Sequence, residues 1–263
     1  MERTFRDSLW LWGQDAGSHH KKEYGWNIPG ENKMGPVEGA AYLDISNCFR
    51  VVMGGTPAPP FDAESEQLAG FDQVVWSIMG DKSSVRNNDG ADDLEEVLRQ
   101  AAKFPNVTGG VLDDFFSPET ADARITLPRM REIRDRLHSA PRPLELFLVY
   151  YAALFDIDYT PYLELADVIT FWSWDSAQLA RAGENLDKII AMTPGKKHFA
   201  GCYLYNYGDC RELTDDEMLF QLELYFRLWK EKQIDGVVVC SNNLVDTGIR
   251  AVEIFREFMQ THA

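Results

Sequence analysis

The sequence predicts an α/β fold, a single (β/α)8 TIM barrel that spans residues 1–263 as one domain. Eight short apolar runs rich in β-branched and aromatic residues alternate with eight segments of helical period. The centres of the runs lie roughly 23 to 40 residues apart, as short βαβ crossovers require. Eight such units suit a chain of 263 residues. A doubly wound open sheet is the alternative, but the nucleotide-binding pattern G-x-G-x-x-G is missing.

The predicted strands share an apolar, β-rich composition. In chain order they are Ser8–Gly13, Cys48–Gly54, Gln73–Met79, Val107–Phe116, Leu144–Tyr151, Val168–Trp174, His198–Tyr205 and Gly236–Cys240. No Pro/Gly/Ser-rich linker, charge block or change of composition divides them, which favours one domain.

The predicted helices follow the strands one by one. They are Val37–Leu43, Ala63–Leu68, Asp92–Lys103, Leu127–Leu137, Tyr159–Leu165, Ala177–Met192, Thr214–Lys232 and Thr247–Gln260. In the third helix, Leu94, Val97 and Leu98 recur at the three- and four-residue spacing of a helix face. In the seventh, Thr214 and Glu217 form the capping-box pattern that opens a helix.

The charge balance excludes several classes of partner. The chain has 26 Lys and Arg against 42 Asp and Glu, which gives a net charge of −16. Nucleic acids and anionic membranes both need a basic surface, so we expect neither as a partner. No run approaches the ~18 apolar residues of a membrane span, and Glu2 and Asp7 around a very short apolar stretch are unlike a secretory signal. The four cysteines have no C-x-x-C spacing, which predicts reduced thiols in a cytoplasmic protein.

Acids, amides and aromatic rings crowd the carboxyl ends of the predicted strands, the face where a barrel carries its active site. Sugars offer apolar C–H faces and many hydroxyls, so their sites combine aromatic platforms with carboxylates and amides. The sequence therefore predicts a carbohydrate or glycoside as the small-molecule partner, and no cofactor. The predicted contacts are Trp12, Asp15, Tyr151, Trp172, Trp174, Tyr203, Tyr205, Asn206 and Asn242. The alternative is that these aromatic residues fill the barrel and pack under the helices.

Two adjacent aspartates, Asp113 and Asp114, end the fourth predicted strand in the run GGVLDDFF. Burying a carboxylate there is costly unless the group is paired or used in chemistry. Because successive side chains on a strand point to opposite sides, one of the two should face the barrel mouth. The alternative is a structural Asp that caps the next loop or binds an Arg.

These residues suggest a family. The run GVLDDFFSP, which contains Asp113 and Asp114, resembles the fourth-strand stretch of glycoside-hydrolase-like TIM barrels. The run WSW at 172–174 and the segment 201–208 resemble parts of little-studied bacterial proteins of that broad type. The resemblance implies hydrolysis of O-glycosyl bonds, with acid catalysis by carboxylates. The Asn-Glu pair of the largest retaining clan and the D-x-x-D-x-D-x-E run of chitinase-like barrels are absent.

Glycosidic cleavage takes two acids, of which one protonates the leaving oxygen and the other attacks carbon or activates water. We expect Asp113 to be the nucleophile or base, because it is the first acid after the apolar run. Asp175, after the sixth strand, is the predicted acid, since a partly apolar setting would raise its pKa. Asp114 would face away, or hold a substrate hydroxyl or a loop. Asp15 and Asp81 are reserve acids.

Two other functions are consistent with the same residues. A non-catalytic carbohydrate-binding barrel would keep the aromatic residues without a working acid pair. A metal-dependent lyase or isomerase would use Asp113, Asp114 and a loop histidine. Sugar binding without turnover would favour the carbohydrate-binding barrel. Metal analysis of the purified protein would distinguish the metal-dependent enzyme from the other two functions.

The first loop, residues 14–36, is long for a connection without a role. Tyr24, Trp26 and several glycines suit a lid over the barrel mouth, and a disordered excursion is the alternative. His19 and His20 lie beside two lysines, which favours a solvated loop over a metal site. We therefore predict no bound metal.

Overall fold

The structure is a computed structural model that describes residues 3–117 and 119–262. Eight parallel strands form a closed barrel, which confirms the predicted fold class. The strands are β1 Leu9–Gly13, β2 Asn47–Arg50, β3 Gln73–Met79, β4 Val107–Leu112, β5 Glu145–Tyr151, β6 Val168–Trp172, β7 Lys197–Tyr203 and β8 Gly236–Cys240. Each strand pairs with its neighbours in chain order, and β1 closes the ring by pairing with both β2 and β8.

The helices surround the barrel, and most lie where the sequence predicts them. They are α1 Pro36–Leu43, α2 Asp62–Gln67, α3 Leu94–Lys103, α4 Leu127–His138, α5 Thr160–Leu163, α6 Ser176–Ala180, α7 Ala182–Met192, α8 Asp215–Lys230 and α9 Arg250–His262. The capping box of α8 is present, since Thr214 and Glu217 each accept the other's backbone N–H. The predicted helix 177–192 is two helices, because the chain leaves helical geometry at Arg181. Gly183 lies just after this break, and its low helix propensity disfavours one continuous helix through this segment.

Several strands are shorter at their carboxyl ends than the sequence predicts. The fourth predicted strand continues to Phe116, but β4 ends at Leu112 and the chain then turns. Asp114 has a φ of 41°, a left-handed conformation that cannot continue a strand. A short antiparallel pair, Phe116–Ser117 with Asp122–Ala123, follows the turn. Pro118, at the end of the GVLDDFFSP run, lies outside the described residues.

Four large rings from four strands fill the lower part of the barrel. The ring of Trp10 lies 5.2 Å from that of Phe49 and 5.8 Å from that of Phe199, and Phe147 lies 5.2 Å from Phe49. Gly109 makes room for this layer, because a Cβ there would lie 2.7 Å from the ring of Phe147. The expectation that aromatic residues fill the barrel therefore holds for Trp10.

A second aromatic layer lies above the first, nearer the carboxyl ends of the strands. The ring of Trp172 lies 5.3 Å from that of Trp12 and 4.9 Å from that of Tyr203. Gly201 lies directly against Trp172, since a Cβ at that position would be 2.0 Å from the indole. This layer separates the filled interior from the open end of the barrel.

Among the helices of the described residues, none is both long and apolar enough to cross a membrane.

Replacement of Gly201 by Ala should destabilise the protein. The new methyl group would overlap the Trp172 indole, which is only 2% exposed and has little space to move. Overpacking of this kind costs about 1–3 kcal/mol, measurable by denaturant unfolding. Gly70→Ala is the matched control, because a Cβ on Gly70 meets no atom within 4 Å. Equal stability of the two variants would show that the aromatic layer is not tightly packed.

Candidate active site

A cavity of about 270 Å³ lies at the carboxyl ends of the strands, above the second aromatic layer. Acidic side chains line one part of it and aromatic rings line most of the rest. Its lining residues are Trp12, Gln14, His19, Tyr24, Trp26, Met53, Asp81, Lys82, Ser83, Asp113, Asp114, Tyr151, Trp172, Trp174, Tyr203, Tyr207 and Cys240. Five of the predicted contact residues, namely Trp12, Tyr151, Trp172, Trp174 and Tyr203, are among them. The predicted aspartates Asp113 and Asp114 line it as well.

Asp113 follows the last residue of β4 and is 5% exposed. Its backbone N–H donates to the carbonyl of Met79 on β3, which fixes the position of the residue (3.0 Å). Its Oδ1 accepts the N–H of Asp114 (2.8 Å), and within the described ranges no protein group donates to its Oδ2. Burial raises the pKa of Asp113 well above its usual range, and the charges of Asp114 and Asp81 raise it further. This carboxyl therefore favours its protonated form.

Asp114 faces the same cavity as Asp113, so the predicted alternation of the two side chains does not occur. The left-handed turn at Asp114 is the reason, because the chain is no longer a strand there. Its Oδ1 accepts the hydroxyl of Tyr151 (3.1 Å) and its Oδ2 accepts the N–H of Lys82 (3.3 Å). Burial raises the pKa of Asp114, and the nearby charge of Asp81 adds to the effect.

Asp81 follows the end of β3 and is held by hydrogen bonds from its own loop and from the loop after β2. Its Oδ1 accepts the N–H of Gly54 (3.0 Å) and the hydroxyl of Ser84 (2.6 Å), and its Oδ2 accepts the hydroxyl of Ser83. Arg124 lies near Asp81, Asp113 and Asp114, but its guanidinium donates to the backbone carbonyls of Gly80 and Asp113 rather than to a carboxylate. Asp81, Asp113 and Asp114 therefore receive no hydrogen bond from Arg124 through their carboxyl groups.

Aromatic rings form the wall of the cavity on the side of β6 and β7. Trp174 and Tyr207 stack with ring centroids 5.7 Å apart, and Trp26 meets Tyr207 edge-on at 4.9 Å. Tyr24 stacks on Trp26 at 4.7 Å. Flat apolar rings of this kind suit the C–H face of a sugar.

The first loop folds across the barrel mouth, as expected of a lid. Asn242, which follows β8, donates to the carbonyls of Gln14 (2.9 Å) and Met34 (2.8 Å) and accepts the N–H of Gln14 (2.8 Å). Tyr205 donates to the carbonyl of Trp26 (2.6 Å). Asn242 and Tyr205, predicted to contact the ligand, thus hold the loop and do not line the cavity.

Three other predicted residues also lie outside this cavity. Asp175 caps the N-terminus of α6, where its carboxylate accepts the backbone N–H of Gln178 (2.8 Å) and the side-chain amide of that residue (3.0 Å). Asp15 pairs with Arg50, which is buried. Asn206 donates to the hydroxyl of Ser176 (2.6 Å). Each of these side chains has a structural partner, and Asp175 does not line the cavity that contains Asp113.

His19 is a cavity residue that the sequence did not reveal. The expectation of a solvated histidine is wrong, because His19 is 4% exposed and its Nδ1 lies 2.7 Å from the hydroxyl of Tyr207. Burial lowers its pKa to about 3, so the ring is neutral near pH 7. Lys82 and Cys240 were missed too, since nothing in their local sequence indicates a place at the mouth. Among the described residues, no group of three or more potential metal ligands is arranged to hold an ion, so the metal-dependent alternative gains no support.

Substitution of Asp175 distinguishes a cap from a catalytic acid. Asp175→Ala should destabilise the protein by about 1 kcal/mol, because the first turn of the helix loses its acceptor. Asp175→Asn should keep nearly full stability, since Asn caps a helix as well as Asp does. Denaturant unfolding of both variants is the measurement. An Asn variant as unstable as the Ala variant would contradict the capping role.

Asp113→Asn should stabilise the protein at neutral pH. A carboxyl whose pKa is raised by folding costs stability once the pH exceeds its unfolded value of about 3.9. Asn has no ionisation to give up on folding, so the substitution removes this cost, and each kcal/mol gained raises the unfolding midpoint by roughly 2–4 °C. The gain should shrink as the pH falls toward about 4 and vanish below it, where the unfolded carboxyl is protonated as well. Thermal unfolding across this range tests it, with the exposed Asp135→Asn as control; a gain that persists at the acid end would contradict it.

No family model and no curated protein matches the chain. Among solved structures, it is similar to a protein from Bacteroides thetaiotaomicron provisionally named an alpha-L-fucosidase, with a TM-score of 0.61, 12% identity and coverage of 99% of this chain and 98% of that one. It is also similar to a beta-galactosidase from Marinomonas ef1 (TM-score 0.60, 10% identity, 96% and 59% covered) and to the glycoside hydrolase family 17 beta-1,3-glucanosyltransferase of Rhizomucor miehei (0.53, 10%, 80% and 82%). At such identities the likeness concerns the fold alone, a (β/α)8 barrel that this chain shares with these proteins.

Proposed function

We propose that the protein hydrolyses O-glycosyl bonds in the cavity at the barrel mouth. The observation that carries the proposal is that two neighbouring aspartates, the buried Asp113 and the partly buried Asp114, line a cavity whose other walls are aromatic. A buried carboxyl whose pKa is raised well above its usual range suits general acid catalysis of glycoside cleavage. The structural neighbours support the proposal, because glycosidases use the same barrel and act at the same end of it.

The roles of the acids follow from their hydrogen bonds. Asp113 has a free oxygen and a strongly raised pKa, so we assign it as the proton donor to the leaving oxygen. Asp114 is held by Tyr151 and by the N–H of Lys82, so it is the group that stays charged beside the sugar. This assignment replaces the pair suggested by the sequence, in which Asp113 was the nucleophile or base and Asp175 the acid.

The aromatic wall would bind the sugar itself. Trp174 and Tyr207 present stacked rings at the side of the cavity opposite the acids, and Trp172 forms part of the floor. The neutral His19 ring and the Gln14 side chain offer hydrogen-bonding groups without adding charge. Apolar faces combined with a few polar groups are the usual composition of such a site.

We place this activity in the cytoplasm. The four cysteines, Cys48, Cys202, Cys210 and Cys240, are all free, and three of them are buried. Free thiols of this kind suit a reducing compartment.

Asp113→Asn and Asp114→Asn should each lower kcat on a cleavable aryl glycoside. Loss of general acid catalysis typically costs about 10²–10⁴-fold, whereas sugar affinity should change little because the aromatic wall is intact. Turnover is followed by release of the aryl group, and affinity by tryptophan fluorescence. Asp135→Asn, on the outer surface of α4, is the control and should keep full activity.

Two results would count against the proposal. If Asp113→Asn retains wild-type turnover, Asp113 is not the acid. If the protein binds sugars and cleaves none of a broad panel of aryl glycosides, it is a carbohydrate-binding barrel without catalysis.

A further inference from the structure

The acidic residues of the cavity all lie on one side of the barrel. Asp81 follows β3, and Asp113 and Asp114 follow β4. The opposite side consists of residues at the ends of β6, β7 and β8 and of the first loop, which contribute aromatic rings, Cys240 and His19. Among the described lining residues, no carboxylate comes from that side.

This distribution conflicts with the usual double displacement by two carboxylates. In that reaction the nucleophile lies across the scissile bond from the acid, about 5–5.5 Å away, and attacks the opposite face of the sugar ring. Asp81 is poorly suited to this role, because it lies on the same side as Asp113 and both its oxygens already accept hydrogen bonds, from Gly54, Ser83 and Ser84. Asp114 lies next to Asp113, on the same side of the cavity. Its carboxylate is held there by hydrogen bonds from the hydroxyl of Tyr151 and the backbone N–H of Lys82. The protein therefore offers an acid and no carboxylate facing it.

A substrate can supply the missing nucleophile itself. The carbonyl oxygen of an acylamino group at C2 lies next to the anomeric carbon and can reach it from the face opposite a 1,2-trans leaving group. Such intramolecular attack has effective molarities of about 10⁵–10⁸ M. The amide N–H of that group needs an acceptor, and a charged carboxylate beside the acid provides one.

Building on the proposed function, we propose that the substrates are 1,2-trans glycosides of 2-acylamino sugars, cleaved with participation of the acyl oxygen. Asp113 gives its proton to the leaving oxygen as the C1–O bond breaks, and the acyl oxygen forms the new bond to C1. Asp114 takes the amide proton, which leaves a neutral bicyclic oxazoline and the free alcohol. Water then adds to C1 as Asp113 takes its proton, the C1–O(acyl) bond breaks and Asp114 returns the proton to nitrogen, with retention of configuration.

The arrangement of Asp113 and Asp114 suits these two steps. The free Oδ2 of Asp113 belongs to the carboxyl whose pKa burial raises, which favours donation of a proton in the first step and its recovery in the second. Asp114 is oriented by neutral donors, the Tyr151 hydroxyl and a backbone N–H, which leave its charge available for the amide. Trp172 and Tyr203, both nearly buried, lie in the cavity floor and would exclude water from the intermediate.

Matched aryl glycosides test the proposal. We would compare 4-methylumbelliferyl β-glycosides of gluco and galacto configuration that carry either an acetamido or a hydroxyl group at C2. The acetamido member of at least one pair should have a kcat/KM at least about 100-fold higher, because only it carries the internal nucleophile. Equal rates within a pair that is cleaved would overturn the inference and leave the proposed hydrolase intact. Absence of turnover on all four substrates would overturn both.

A second series separates chemistry from simple recognition of the acetamido group. Stepwise fluorination of the acetyl methyl group weakens the carbonyl oxygen as a nucleophile and changes its size little. The rate on the cleaved pair should fall steadily from acetyl to trifluoroacetyl, and Asp135→Asn should show the same fall as the wild-type protein. A rate independent of fluorination would mean that the amide is bound and does not react. Asp114→Asn should reduce the rate on the acetamido substrate while KM changes little.

Discussion

The interior of an eight-stranded barrel must be filled, and in this protein large aromatic rings fill it. Trp10, Phe49, Phe147 and Phe199 meet from four strands, and Gly109 on the strand next to that of Phe147 makes room for them. The layer above, centred on Trp172, rests on this packing and becomes the floor of the cavity. The position of the site thus follows from how far up the barrel the rings reach, since the space above them is where a ligand can enter.

Burial of the carboxyl groups of Asp113 and Asp114 is electrostatically unfavourable, and it raises the pKa of both. Asp113 accepts a hydrogen bond from its neighbour's backbone and, within residues 3–117 and 119–262, none from a cationic side chain, while Arg124 donates to the backbone carbonyls of Gly80 and Asp113. Elsewhere the protein compensates its buried charge, as when Arg50 meets both Asp15 and Glu64. The contrast between a fully paired arginine and an under-paired aspartate is typical of a functional site, where perturbed pKa values concentrate.

Local patterns predicted most of the fold, because the barrel is built from repeated short-range units. The strand runs and the Thr214 capping box depend only on neighbouring residues, and both are present in the structure. The sequence also contained a sign that Asp175 caps a helix, because Asp175 and Gln178 have the three-residue spacing of a capping pair. That pattern was not used when Asp175 was predicted to be the catalytic acid. His19 had no readable signal, because its partner Tyr207 is 188 residues away along the chain. Contacts of that range depend on the folded barrel and not on any pattern within one element.

The hydrogen bonds between Asn242 and Gln14 have a consequence for synthesis of the chain. They join residues 228 positions apart, so the first loop is secured over the cavity only after the segment that follows β8 has been synthesised. Closing so long a loop has a high entropic cost and is slow relative to local folding. Until β8 is in place, β1 lacks one of its neighbours and the first loop lacks its anchor. A nascent chain therefore carries both aspartates long before it can carry a working pocket.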